Sequence, residues 1–359
     1  MEVVSQNLSP LCYLPNGEVI CYSSGDVIRG LYDGRRYKID NSIKCKIIEK
    51  SKLLSRIFRA GIRAAIAIND NEICFFIRNR ICELDLKNGL ISRGYVCPNK
   101  SRPLNFTFVK DIKGFDDGIY WGDYLYNPLK KAISIYKRIE KDIWLPVYEF
   151  KEGSVNHVHN IIADSYRNCL WIFTGDFGEA SAIWKVTDNF KRVERVAFNS
   201  QKFRGCVAFI AEEGLIYATD TPFENNYIYK FDTKTYELNM LSSISGSCIY
   251  GCKWKDKYVF STAVEGDGRE LSILEFLFSV KKGSGIKDDF VHLYLGDCKN
   301  GFKEIYKERK DIYPFYLCQF GVFKFPSGNN NNDELLFQPI ATCENDQSLL
   351  SIHRNLIYE

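Results

Sequence analysis

Short segments of alternating apolar and polar residues, each closed by a turn signal, recur along the whole 359-residue chain. Their layout repeats. Apparent units begin near residues 11, 55, 105, 156, 203, 247 and 315, about 51 residues apart on average and close to the roughly 40–50 residues of a four-stranded propeller blade. Each full unit reads strand, turn, strand, polar gap, strand, charged turn, strand. Lys87-Asn88-Gly89, Asp188-Asn189 and Asp232-Thr233-Lys234 occupy matching turns. The period predicts one all-β domain over residues 1–359, a seven-bladed β-propeller of four-stranded antiparallel blades. A six-bladed ring, with the two terminal pieces combined in one blade, is the alternative. A large sandwich does not repeat at this length.

The clearest unit opens with Asn156 to Asp176, a strand starting on His157 and His159, a polar turn, and a second strand ending on Thr174-Gly175-Asp176. The least regular part is 269–301, expected as a long second-to-third-strand connection with Lys281 to Gly285 at its tip. Gly328 to Asp333 reads as a flexible hairpin tip. The segment 315–325 reads as a strand of the last unit, followed by 334–343 and 349–353.

Composition narrows the function classes. The net charge is +3, and acids and bases interleave, as in Lys137-Arg138-Ile139-Glu140-Lys141-Asp142, the pattern of a solvated face rather than a nucleic-acid platform. Aromatic residues make up 14% of the chain, which suits pleated, half-buried sheet, with a few left over for stacking on a sugar. Thirteen cysteines without CxxC pairs suit small buried hydrophobes in a reducing compartment. The first twenty residues lack a basic segment followed by an apolar one. No run of about 18 apolar residues is present. A cytoplasmic protein without membrane spans and without a cofactor is expected.

In a blade, antiparallel neighbours reverse direction, so the innermost strand starts, and the second strand ends, on the same face of the disc. That rule gathers His157, His159 and Asp176 from one unit, Arg204 and Asp220, with Glu224 beyond, from the next, and Tyr250 and Glu265 from the one after. Gln319 and Gln338 come from the last unit, and Arg63 and the pairs Gly25-Asp26 and Gly122-Asp123 from earlier ones. Polar residues on strand-end loops of a rigid scaffold are where sites are built, although strand ends are solvated in any propeller.

His157 and His159 are two apart on a strand and face the same way. They read as a proton-transfer or substrate hydrogen-bonding pair, as half of a metal site needing further ligands, or as a satisfied structural pair. Asp176, Asp220 and Glu265 recur at one topological place. Paired carboxylates at a channel are what glycoside hydrolysis uses; alternatively each holds the N–H groups of its own turn. Arg63 and Arg204 are suited to a substrate carboxylate or phosphate or to pairing with these acids.

NHVHNIIADSYRNCLWIFTGD (156–176), with ATDTPFENNYIYKFD (218–232) and FSTAVE (260–265), resembles bacterial propeller proteins of the sialidase-like (BNR-repeat) superfamily. The resemblance covers roughly residues 150–265 and implies a propeller with a glycan substrate. Two features depart from it. The nearest approach to an Asp-box, Asp164 to Trp171, keeps the tryptophan but not the spacing. Arg63, Arg204, Tyr250 and Glu265 match part of a sialidase site, whose third arginine is not evident.

The residues thus suggest a glycoside hydrolase-like propeller. Its catalytic groups would be His157, His159, Asp176, Asp220 and Glu265. Arg63, Arg204, Glu224, Tyr250 and Gln319 would bind a glycan or oligosaccharide. A non-catalytic propeller binding a glycan or protein on the same face is the alternative. A lyase with a His-containing metal site is a further one.

Overall fold

The computed structural model describes residues 1–30, 35–41, 43–267 and 272–357, and these form seven four-stranded antiparallel sheets. The inner strands are Ser9–Tyr13, Ala64–Asn69, Thr107–Val109, His157–Asp164, Val207–Ala211, Cys248–Trp254 and Val322–Lys324, defining blades 1 to 7. Blades 1 to 6 each run from inner to outer strand in chain order. Blade 7 does not: its outermost strand is Glu2–Ser5, paired with Leu349–His353. The ring has seven blades, and the terminal segments do combine, but within the seventh blade rather than to make a ring of six.

What closes the ring is wedges of apolar side chains between neighbouring blades. Ile73, Phe75 and Leu84 pack on Leu11, Ile20 and Val27 between blades 2 and 1. Trp121 and Tyr136 pack on Ile66 and Phe76 between blades 3 and 2. Leu336 and Leu349 meet Leu8 and Tyr13 between blades 7 and 1. Strands of this kind are covered on both faces, as in Cys169–Gly175, where every residue is buried. Such strands read as continuous apolar runs and favour large flat side chains. Trp121, fully buried, stacks on Tyr136 with ring centroids 4.5 Å apart. Most of the aromatic content is spent in this way.

Three expectations change. In 315–325 the strand is only Val322–Lys324, preceded by a short helix, Phe315–Cys318, that starts after Pro314. Arg56 holds the end of that helix by donating from Nε to the Cys318 carbonyl at 2.9 Å. Residues 269–271 lie outside the described residues. The rest of the long blade-6 connection contains a helix, Ile273–Phe278, started by a Ser272/Glu275 capping box. Lys281 to Gly285 is not the tip, because Gly283 N–H donates to the Glu265 carbonyl and Gly285 N–H to the Pro222 carbonyl. The asparagine-rich hairpin is also fastened: Asn330 is buried, and Asn332 Nδ2 donates to the Gly17 carbonyl of blade 1.

Together with Lys52–Ile57, which precedes the inner strand of blade 2, these helices stand on the face where inner strands begin. The helix at 315 packs against both of the others. No helix among the described residues is long and apolar enough to cross a membrane.

Candidate functional site

A cavity of about 670 Å³ runs through the disc and is lined from all seven blades, including Leu11, Arg63, Phe106, Asn160, Cys206, Tyr250 and Lys324. Its mouth on the inner-strand-start face has two unlike sides.

Blades 4 to 6 supply the first. Extended strands would carry His157 and His159 side by side. A bulge between Val158 and Asn160 shifts the register there, the kind of local change that re-aims a side chain. The two Nε2 atoms lie 2.9 Å apart, and each is 3.3 Å from Asp176 Oδ1. The His157 Nδ1 is 3.1 Å from the Leu125 carbonyl. A carbonyl can only accept, so Nδ1 carries the proton and Nε2 faces the site. Gly175 makes room for the second imidazole: a Cβ there would stand 2.2 Å from His159 Cε1.

Arg204 bridges to the next acid, its Nη2 lying 3.3 Å from Asp176 Oδ1 and 3.5 Å from Asp220 Oδ2. The Cys206 thiol donates to Asp220 at 3.1 Å, and Ser247 donates to Glu265. Asp220, Glu265 and Arg204 are buried, whereas Asp176 is partly exposed.

Burial and charge set the protonation of this side. Burial acts to raise the Asp176 pKa, but His157, Arg204 and the histidine hydrogen bonds outweigh it and hold the carboxyl well below the usual range. Burial and the neighbouring Asp220 push Glu265 up to about 7. Burial lowers His159, partly opposed by Asp176. Burial also pulls on Arg204, but Asp220, Asp176 and Glu265 keep its guanidinium firmly charged.

The alternative that these carboxylates merely hold their own turns is met elsewhere. Asp85, Asp164, Asp232 and Asp297 each accept two backbone N–H bonds from the turn that follows them, and Asp123 accepts Ser134 N–H at 2.8 Å. Asp26 pairs with Lys38 at 2.7 Å. Among the described residues, the side chains of Asp176, Asp220 and Glu265 accept no backbone N–H.

The second side comes from blades 2, 3 and 7. Arg59, Arg63, Arg102 and Lys324 gather there, and their side chains have no carboxylate partner among the described residues. Burial, then Arg102 and Arg59, push Arg63 down to about 10. Burial likewise lowers Lys324, with Tyr250 opposing and the three arginines adding to the fall. Arg102 lies 4.6 Å over the Tyr124 ring, and that ring is 4.4 Å from His157. Lys324 Nζ is 5.9 Å from the Tyr250 ring centre.

Two of the residues expected at the site lie elsewhere. Gln319 donates to the Arg56 carbonyl at 2.9 Å and lines a smaller cavity beside the channel. Glu224 is exposed on a loop of blade 5 beside Lys202 and Ser284. Tyr250 and Arg63 line the channel on the cationic side, and His157, His159, Asp176, Arg204, Asp220 and Glu265 converge on the other. The sequence reading missed Cys206, Ser247, Tyr124, Arg59, Arg102 and Lys324. Arg102 had a signal, since it precedes an inner strand as Arg63 and Arg204 do.

No family model matches the chain. No curated protein matches it either. Solved structures do. The β-propeller domain of Myceliophteria thermophila Cps50 (Swd1) aligns with a TM-score of 0.54 and 8% identity over 97% of each chain. A chain of the mitotic checkpoint complex aligns at 0.53 and 9% over 97% of this chain and 90% of that one. The Dos1 propeller aligns at 0.52 and 10% over 97% and 78%.

These likenesses carry the fold alone, and they overturn the sialidase-like resemblance. The site agrees with the correction. Glu265 is bonded to Ser247, while Tyr250 lies by Lys324, so the two do not form a tyrosine–carboxylate nucleophile pair. Arg204 is neutralised by Asp176 and Asp220 instead of joining Arg63 around a substrate carboxylate. The Asp-box-like segment is a structural turn, in which Asp164 accepts the Tyr166 and Arg167 N–H groups and the Trp171 indole N–H.

Proposed function

We propose that this protein is a non-catalytic β-propeller scaffold that binds an acidic, partly apolar segment of a partner protein across the channel-mouth face. One observation carries the reading. On the same face as the unpaired cations, exposed apolar side chains stand on or next to the short helices: Phe58 is 62% exposed, Leu274 70% and Phe278 68%. Large apolar groups clustered in water, next to charges without partners, are the composition of a protein-binding surface. Arg59 follows Phe58 directly and joins the two parts.

A similar propeller fold occurs in the mitotic checkpoint complex, an assembly of proteins, which supports the same reading. The carboxylates do not favour catalysis over binding, because Arg204, Cys206 and Ser247 already engage them. Free thiols throughout, most of them buried, support placement in a reducing compartment.

The test is a titration of labelled peptides built from leucine with either glutamate or lysine. The acidic set binds, affinity falls as salt rises, and the peptide is recovered unchanged by mass spectrometry. Arg63→Glu with Arg102→Glu weakens binding by about tenfold or more, and Phe58→Ser with Leu274→Ser does the same. Equal binding of both peptide sets, or charge reversals without effect, would sink this function.

A further inference from the structure

We infer that His157, His159 and Asp176 form the protein-derived face of a divalent transition-metal site opening on the channel mouth. His157 Nε2, His159 Nε2 and Asp176 Oδ1 make a triangle with edges of 2.9, 3.3 and 3.3 Å. A metal with bonds of about 2.0–2.1 Å spaces its ligand atoms about 3.3 Å apart in a tetrahedron and about 2.9 Å apart in an octahedron. The observed edges span those two values.

The surrounding contacts are those a metal site needs. The Leu125 carbonyl fixes a proton on His157 Nδ1 and turns Nε2 inward, the nitrogen a metal would take in exchange for any proton it carries. Arg204 Nη2 lies 3.3 Å from the same Asp176 Oδ1 and fixes where that oxygen stands. Without a cation, either a metal ion or a second proton on His157, the three inward lone pairs repel one another. Protonating His159 on Nε2 answers one acceptor fully at most and leaves its buried Nδ1 with no partner. Protonating it on Nδ1 instead turns two bare nitrogens and a carboxylate oxygen toward one another.

Charge points the same way. Among the described residues, the carboxyl groups of Asp176, Asp220 and Glu265 stand around one guanidinium, Arg204, a grouping that favours a further cation. A second grouping, His159 with Cys206 and Asp220, also lies close enough for a metal. There, however, the thiol keeps its proton and donates it in a hydrogen bond to Asp220. The N₂O donor set, with neither soft sulfur nor an all-oxygen shell, suits Zn²⁺ and its first-row neighbours. The Asp176 side chain is 31% exposed, which leaves room for a further ligand from solvent.

This inference is independent of the partner proposed above, since peptide binding by the cationic side can stand or fall without it. Chelator-treated protein would be titrated with Zn²⁺ by calorimetry and with Co²⁺ by visible spectroscopy. The expected result is one metal per chain, with visible Co²⁺ bands and no thiolate charge-transfer band. His157→Gln, His159→Gln and the near-isosteric Asp176→Asn should each weaken Zn²⁺ binding by about 100-fold or more. Circular dichroism would verify that each variant is folded. Cys206→Ala should bind Zn²⁺ as the parent does. The assignment is overturned by absent stoichiometric binding in the parent, by undiminished binding in folded His157→Gln or Asp176→Asn, or by loss of binding in folded Cys206→Ala.

Discussion

The two sides of the channel mouth are built from the same kind of position, in or just before an inner strand or just after a second strand, yet they are electrostatic opposites. On the side of blades 4 to 6, three acids and two imidazoles gather around one guanidinium among the described residues, within contact or coulombic reach of one another. On the side of blades 2, 3 and 7, Arg59, Arg63, Arg102 and Lys324 repel one another and rest on Tyr124 and Tyr250. The first side is internally organised, and its groups define a geometry. The second is held in place by packing and leaves its charge available. A ligand carrying negative charge gains most from the side that lacks counter-ions, whereas a cation gains most from the side with surplus carboxyls.

The comparison can be broken at several points. Arg204→Met strips from buried Asp220 its one guanidinium partner among the described residues and leaves Asp176 and Glu265 less compensated, so unfolding in urea should show a loss of about 3–5 kcal/mol. If the loss were under about 1 kcal/mol, the acid side would not be the interdependent unit described.

Glu265 tests the same unit through pH. Its folded pKa of about 7 lies above the ordinary value of about 4.5, so the folded state binds the proton more tightly than the unfolded chain. Its contribution is therefore present below about pH 4.5 and is lost as pH rises to about 7, up to about 3 kcal/mol. Unfolding curves of Glu265→Gln, taken below and above that window, should lack this share of the decline.

Gly175→Ala is next. The new methyl meets the His159 ring at 2.2 Å, and the displaced imidazole should cost about 1–3 kcal/mol in the same assay. Substitutions on the cationic side should do least. Arg63→Ala and Arg102→Ala relieve repulsion and break no ion pair among the described residues, so stability should move by no more than about 0.5 kcal/mol. A large loss at either would mean that the cations are structural and that the two sides are alike after all.

How much of this was legible depends on how far apart the partners are in the chain. Within one blade the alternation of strands and turns is local, so the repeat led directly to blades and to the places where functional groups converge. His157, His159, Asp176, Arg204, Asp220 and Glu265 all follow from that rule. Glu224 met the same broad criterion, but it is carried outward on an exposed loop. Gln319 follows a helix that the alternating pattern concealed, and Arg56 holds it away from the mouth. The closing strand Glu2–Ser5 is short, and its partner lies at the far end of the chain, so no local pattern announces the pairing.

The sequence by itself determined a seven-unit β-repeat, the apolar wedges that such a repeat must bury, and the face on which its polar strand ends gather. Only the tertiary structure decided which of those groups touch. Lys324 approaches Arg63 and Arg102 from more than two hundred residues away, and Arg204 reaches Asp176 from a neighbouring blade. Such distances arise from closing the ring, which adds the same rotation at every blade. They are a property of the whole circle and are written in no single unit of it.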